Sequence, residues 1–122
     1  MKHIVAALAL VFLFSCNKDA GDTQKPVLVL NTPTGNQTFP GGTVVTISGM
    51  ASDNDELHEV HVYVINKNTD SEILHFHEHA DAKTYNFTQT FTAQAGVTYK
   101  IKVEADDHVG NTTDIEIEVR GI

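Results

Sequence analysis

Alternation of apolar and polar residues constrains the fold of this chain more than any other feature. The clearest example is HEVHVYV at 58–64, where Val60, Val62 and Val64 fall on one side of an extended backbone. A period of two residues is typical of β-strands with one buried face. The same period recurs in six other runs, whose apolar members are Val27 and Val29; Val45 and Ile47; Leu74 and Phe76; Tyr85, Phe87 and Phe91; Val97, Tyr99, Ile101 and Val103; and Ile115, Ile117 and Val119.

Turn-forming residues separate these runs. Segments rich in Gly, Pro, Asn, Asp and Ser lie between the apolar stripes, at 32–36, 40–42, 52–56, 66–71, 80–83, 95–96 and 106–111. Such segments mark turns and loops, and no helical period appears after the amino-terminal apolar run. The sequence therefore predicts an all-β domain over residues 26–122, a β-sandwich of about seven strands.

Three segments add a family resemblance to this fold. The stretch AGVTY at 95–99, followed by alternating KIKVEA, resembles the corner and following strand of fibronectin-type and bacterial Ig-like domains. ASDNDELHEVHVYV at 51–64 and EADDHVGNTTDIEIEV at 104–119 resemble loop and strand regions of bacterial Ig-like and cadherin-like modules. The resemblance implies an Ig-like sandwich in which the Tyr99 hydroxyl bonds back to the corner backbone. Because this fold hosts many functions, it does not assign one.

The amino terminus indicates an exported protein. A short basic start precedes the apolar run IVAALALVFLF at 4–14, which is too short to span a membrane and is typical of a signal peptide. Leu13-Phe14-Ser15-Cys16 resembles the lipobox of bacterial lipoproteins. The resemblance implies removal of residues 1–15, a lipid on Cys16 and a flexible polar tether over residues 16–25. Lys18-Asp19 resembles the export signal of Bacteroidetes-type lipoproteins, which implies an outer-membrane location.

Composition and motifs exclude several functions. The formal charge of −8 argues against nucleic acid as a partner. Cys16 is the one cysteine, so no disulfide and no second thiol nucleophile is expected. The chain has no nucleophile elbow, phosphate loop or HExxH motif. We expect a non-catalytic, monomeric module that is held at the membrane by its lipid.

The histidine-rich stretch HFHEH at 75–79 offers the sharpest hypothesis. If strands 58–65 and 73–79 form a hairpin with their apolar faces matched, the other face pairs Tyr63 with His75, His61 with His77 and Glu59 with His79. Histidines on neighbouring strands are suitable ligands for zinc or copper. The candidate ligands are His61, His75, His77, His79 and Glu59, with His58, His108 and Glu104 as further candidates.

Two alternatives remain open. Loops 52–57 and 106–111 are expected to meet at one end of the sandwich, where His58, His79 and His108 would approach Asp53, Asp55, Asp106 and Asp107. Acidic loops of this kind bind calcium in cadherin-like modules, but this sequence lacks their ligand sets, so a transition metal is preferred. In the other alternative the histidines are incidental, and the domain is a structural or adhesion module that binds a protein or glycan through its loops.

Overall fold

The computed structural model describes residues 21–122 as two β-sheets packed face to face, without a helix in that part of the chain. The eight strands are β1 (Val27–Thr32), β2 (Thr38–Phe39), β3 (Val44–Ser52), β4 (Leu57–Asn66), β5 (Ser71–His79), β6 (Thr84–Thr92), β7 (Thr98–Asp107) and β8 (Thr112–Gly121). The predicted Ig-like sandwich is confirmed. The strand that the sequence did not predict is β2, which pairs in parallel with the end of β8. The predicted signal peptide and Cys16 lie outside the described residues.

The smaller sheet has the order β1-β3-β6 and the larger has the order β2-β8-β7-β4-β5. Their facing sides form the core, because the inward member of each alternating pair is apolar. Val60, Val62 and Val64 are fully buried on β4, and Ile101 and Val103 are fully buried beside them on β7. Polar residues lie on the outer side of the larger sheet, and the histidines of β4 and β5 are among them.

The prediction for β1 was wrong by one residue. Val27 and Val29 are 59% and 44% exposed, whereas Leu28 and Leu30 pack against the core. VLVL carries apolar residues on both faces, so alternation alone does not identify the inner face. Pairing decides it, because Leu28 lies opposite the fully buried Ala51 of β3.

The corner before β7 confirms the role predicted for Tyr99. The Gln94 backbone N–H donates to the Tyr99 hydroxyl over 2.8 Å, and the tyrosine is 2% exposed. Its ring packs against Phe91 with a centroid distance of 4.9 Å. Gly96 lies between Gln94 and Tyr99 in the chain and has a φ of 82°, which glycine adopts without strain.

The segment before β1 bonds to the loops at one end of the sandwich. The Asn111 side-chain amide donates to two backbone carbonyl oxygens, that of Asp22 at 2.8 Å and that of Gln24 at 3.3 Å. The Asn54 amide donates to the Asp22 carboxylate over 3.0 Å. These bonds join the described part of the predicted tether to the loops after β3 and β7.

Candidate metal centre

The hairpin of β4 and β5 has the predicted register. Tyr63 lies opposite His75, His61 opposite His77 and Glu59 opposite His79. The apolar partners, Val62 with Phe76 and Val64 with Leu74, face the other way. Alternation therefore places the histidines on the outer face of the larger sheet. We call this surface, formed by Glu59, His61, Tyr63, His75, His77 and His79, the histidine face.

A β-bulge adds His58 to the end of this face. Between β4 and β7, Leu57 pairs with Asp107 and Glu59 with Asp106, so His58 is an extra residue on one strand. Bulges redirect side chains, and here two successive residues, His58 and Glu59, both reach the surface between the buried Leu57 and Val60. The His58 and His79 rings are 5.5 Å apart, centroid to centroid.

The Glu59 carboxylate connects several imidazoles. His61 Nε2 donates to Glu59 Oε2 over 3.0 Å, and His79 Nε2 lies 3.2 Å from Glu59 Oε1. The hydrogen bond from His61 lowers the pKa of Glu59, and it outweighs the partial burial that raises this pKa. The positive charge that His79, His61 and His58 carry when they are protonated lowers it further. Glu59 is thus held as a carboxylate, the form in which it is a metal ligand.

One set of potential ligands converges at this end of the face. His58, Glu59 and His79 each offer a ligand atom, and the three atoms lie within 4.8 Å of one another. His58 Nδ1 is 3.8 Å from the Asp106 carboxylate, which also accepts the Glu59 backbone N–H over 2.9 Å. We call His58, Glu59 and His79 the His58 set.

The middle of the histidine face is arranged differently. The His61 and His77 rings are stacked at 5.6 Å with 22° between their planes, and His77 belongs to no group of three converging ligands within residues 21–122. His61 Nδ1 is instead 3.2 Å from His75 Nε2 and 3.3 Å from the Tyr63 hydroxyl. Tyr63 stacks on His75 at 4.3 Å. The central imidazoles therefore bond to and stack on one another.

The remaining candidates lie beside these residues. Glu104 is opposite His61 on β7, and its carboxylate lies 3.0 Å from Lys102 Nζ. His108 is close to His58, with 4.8 Å between ring centroids. Its Nε2 lies 3.4 Å from Glu56 and 3.2 Å from Asp81.

Sequence reasoning did not connect Glu56 and Asp81 to His108. Asp81 lies in the turn between β5 and β6 and has a φ of 43°. The sequence signal for Asp81 was an acidic residue in the short turn that follows His79.

The sequence also contained a signal for the bulge at His58. Leu57 and Val60 are both apolar and three residues apart, a spacing that a regular strand does not place on one face.

Comparison with known proteins identifies the architecture. The family model described as a bacterial Ig domain matches residues 26–103. The chain is similar to the fibronectin(III)-like modules of CbhA from Clostridium thermocellum, with 22% identity and a TM-score of 0.52. That match covers 80% of this chain and 46% of the other, so the chain spans about half the length of that structure. No curated protein matches. No helix within residues 21–122 is long and apolar enough to cross a membrane.

Proposed function

We propose that this chain, which belongs to the bacterial Ig domain family, is a non-catalytic accessory module. We further propose that it binds zinc or copper at the histidine-rich end of its larger sheet. The ligands are His58, Glu59 and His79. A lipid on Cys16 holds the module at the outer membrane.

The convergence of the His58 set is the observation that carries the metal proposal. Two imidazoles and one carboxylate form a ligand set that zinc uses in proteins. Ligands of a tetrahedral zinc ion at about 2.0–2.1 Å are about 3.3 Å apart. Glu59 Oε1 and His79 Nε2 are already separated by 3.2 Å. β4 and β5 hold Glu59 and His79 opposite each other.

Exposure argues for binding rather than catalysis. The His79 side chain is 59% exposed and the His58 side chain 39% exposed. A catalytic zinc site needs an open coordination position inside a cavity that controls water. An ion on this sheet face would be hydrated on its outer side. Ig-like and fibronectin III-like domains are typically binding modules, which agrees with this role.

Titration calorimetry of the purified, chelator-treated protein with Zn²⁺, and then with Cu²⁺, tests the metal proposal. We expect one ion per chain and weaker binding at acidic pH, because protons compete with the metal for the imidazole nitrogens. His79→Ala should weaken binding by at least about tenfold. Loss of a residue that only hydrogen-bonds to a metal ligand already costs about 10–100-fold in metal affinity, and His79 is a ligand itself. Its side chain is exposed, so this change should leave the fold intact.

His77→Ala is the matched control. His77 lies two residues away on the same strand and faces the same side, but it is outside the His58 set. Its removal should change the affinity by less than about threefold. Equal binding by His79→Ala and the parent, or several weakly bound ions per chain, would refute the site.

The anchor proposal rests on Cys16 and the lipobox-like residues before it. Replacing Cys16 with alanine removes the thiol that would carry the lipid, and it should move the protein from the membrane fraction to the soluble fraction. Ser15→Thr is a conservative control that keeps the thiol. Unchanged membrane retention of Cys16→Ala would contradict lipid anchoring.

A further inference from the structure

Three aspartates meet at the same end of the sandwich, apart from the histidines. Asp22 precedes β1, Asp53 follows β3 and Asp107 ends β7. Each offers a carboxylate oxygen, and the three oxygens lie within 4.8 Å of one another. We call these residues the acid triad. It shares no residue with the His58 set.

Two oxygens of the triad are buried and have no hydrogen-bond partner among residues 21–122. Asp53 is 8% exposed, and its Oδ1 is one of these oxygens. Asp22 Oδ2 is the other. The second oxygen of each carboxylate is satisfied, since the Asp55 N–H donates to Asp53 Oδ2 and the Gln24 N–H donates to Asp22 Oδ1. Buried polar atoms in native proteins are nearly always paired, so two unpaired carboxylate oxygens in one cluster favour a bound cation.

The triad also lacks a counter-charge. None of the ion pairs within residues 21–122 includes Asp22, Asp53 or Asp107. Asp107 is 3% exposed. The Val109 and Asn111 backbone N–H groups and the Asn111 side-chain amide donate hydrogen bonds to its carboxylate. Three acidic side chains thus meet without a basic partner in the described part of the chain, an arrangement that favours a bound cation.

We infer that the acid triad is a calcium site. Its ligand atoms are all carboxylate oxygens, which suit a hard cation and not the nitrogen-seeking zinc or copper. Ca²⁺ accepts six to eight oxygens at about 2.3–2.6 Å in flexible geometry, so water and nearby carbonyl groups complete a shell around three carboxylates. Mg²⁺ demands a stricter octahedron and retains its water more strongly.

The position of Asp22 gives the ion a structural consequence. Asp53 follows a strand of the smaller sheet and Asp107 ends a strand of the larger sheet, whereas Asp22 belongs to the segment that enters the domain. A cation bound by all three fastens this segment to the end of the sandwich. Calcium then fixes the direction in which the chain enters the domain.

Calcium titration of the purified, chelator-treated protein tests the inference, with calorimetry for stoichiometry and thermal unfolding for linkage. We expect one Ca²⁺ per chain with a Kd of about 10⁻⁴–10⁻³ M, as in extracellular modules. Calcium at 10 mM should raise the unfolding midpoint by about 5 °C or more, and 10 mM Mg²⁺ by clearly less.

Asp22→Asn and Asp53→Asn are the test variants, because asparagine preserves size and an accepting oxygen while removing charge. Each should weaken calcium binding by at least about tenfold. Asp107 is left unchanged because it also holds the turn to Asn111 through three hydrogen bonds. Asp55→Asn is the control, since Asp55 is in the same loop as Asp53 but outside the triad.

Absence of calcium binding up to 10 mM would overturn the inference. Equal binding by both test variants and the control would overturn it as well. Neither result bears on zinc binding, since the His58 set remains unchanged in all of these variants.

Discussion

Removing the Tyr99 hydroxyl measures how much the corner stabilises the sandwich. In Tyr99→Phe the ring keeps its contact with Phe91, and only the bond from the Gln94 N–H is lost. A net hydrogen bond contributes about 1 kcal/mol, and a buried donor without a partner costs about 1–3 kcal/mol. Gln94 is exposed as a residue, so water can partly replace the lost acceptor. We therefore expect the free energy of unfolding to fall by about 1–1.5 kcal/mol.

Thermal and urea unfolding followed by circular dichroism provide the assay. For a domain of this size 1 kcal/mol corresponds to about 4–8 °C in the midpoint. The control is Tyr85→Phe, because the Tyr85 hydroxyl forms no hydrogen bond within residues 21–122. Its midpoint should move by no more than about 2–4 °C, the equivalent of the ±0.5 kcal/mol expected where no structural feature is touched. An unchanged midpoint for Tyr99→Phe, or equal shifts for both variants, would refute the corner bond.

Two further predictions concern packing and pH. Gly49→Ala should destabilise the domain by about 2 kcal/mol or more in urea unfolding, because the new Cβ would overlap the Val29 carbonyl and the Phe87 ring. Gly35→Ala is the control, since a Cβ has room at that position and the change should be close to neutral. The pKa of Glu59 is lowered from 4.5, so its contribution to stability is complete above that value and is lost as the pH falls through the folded pKa. Glu59→Gln should therefore reduce the loss of stability between pH 4.5 and lower values, and an unchanged pH profile would contradict this.

Much of the fold follows from the period of two, because burial of one strand face is what that period describes. The register of β4 and β5 could be predicted for the same reason. Val62 and Phe76 pair on the inner face across the 66–71 turn, and a slip of one residue would turn the apolar side chains of the slipped strand outward. Where apolar residues occur on both sides, as in β1, the period contains no such information. There, pairing with β3 determines which side is inward.

The candidate sites were less predictable, since they depend on departures from regular strands. The bulge at His58 changes which residues reach the histidine face, and a pattern of alternating residues assumes that no bulge exists. Asp22 presents a different difficulty. It is 31 residues from Asp53 and lies in a polar segment whose composition is that of a flexible tether. Only the fold brings it to the loops.

Strand geometry explains why the potential ion sites gather at one end of the sandwich. In the middle of a sheet, side chains on one face stand nearly parallel at fixed spacing. Imidazoles placed there stack, as His61 and His77 do at 5.6 Å. Convergence on a single ion requires side chains that approach from different directions. The bulge at His58 and the end of β5 at His79 provide this for nitrogen ligands, and the loops after β3 and β7 provide it for oxygen ligands. The density of histidines in HFHEH therefore locates the face, whereas the irregular backbone beside it determines which residues can share a metal.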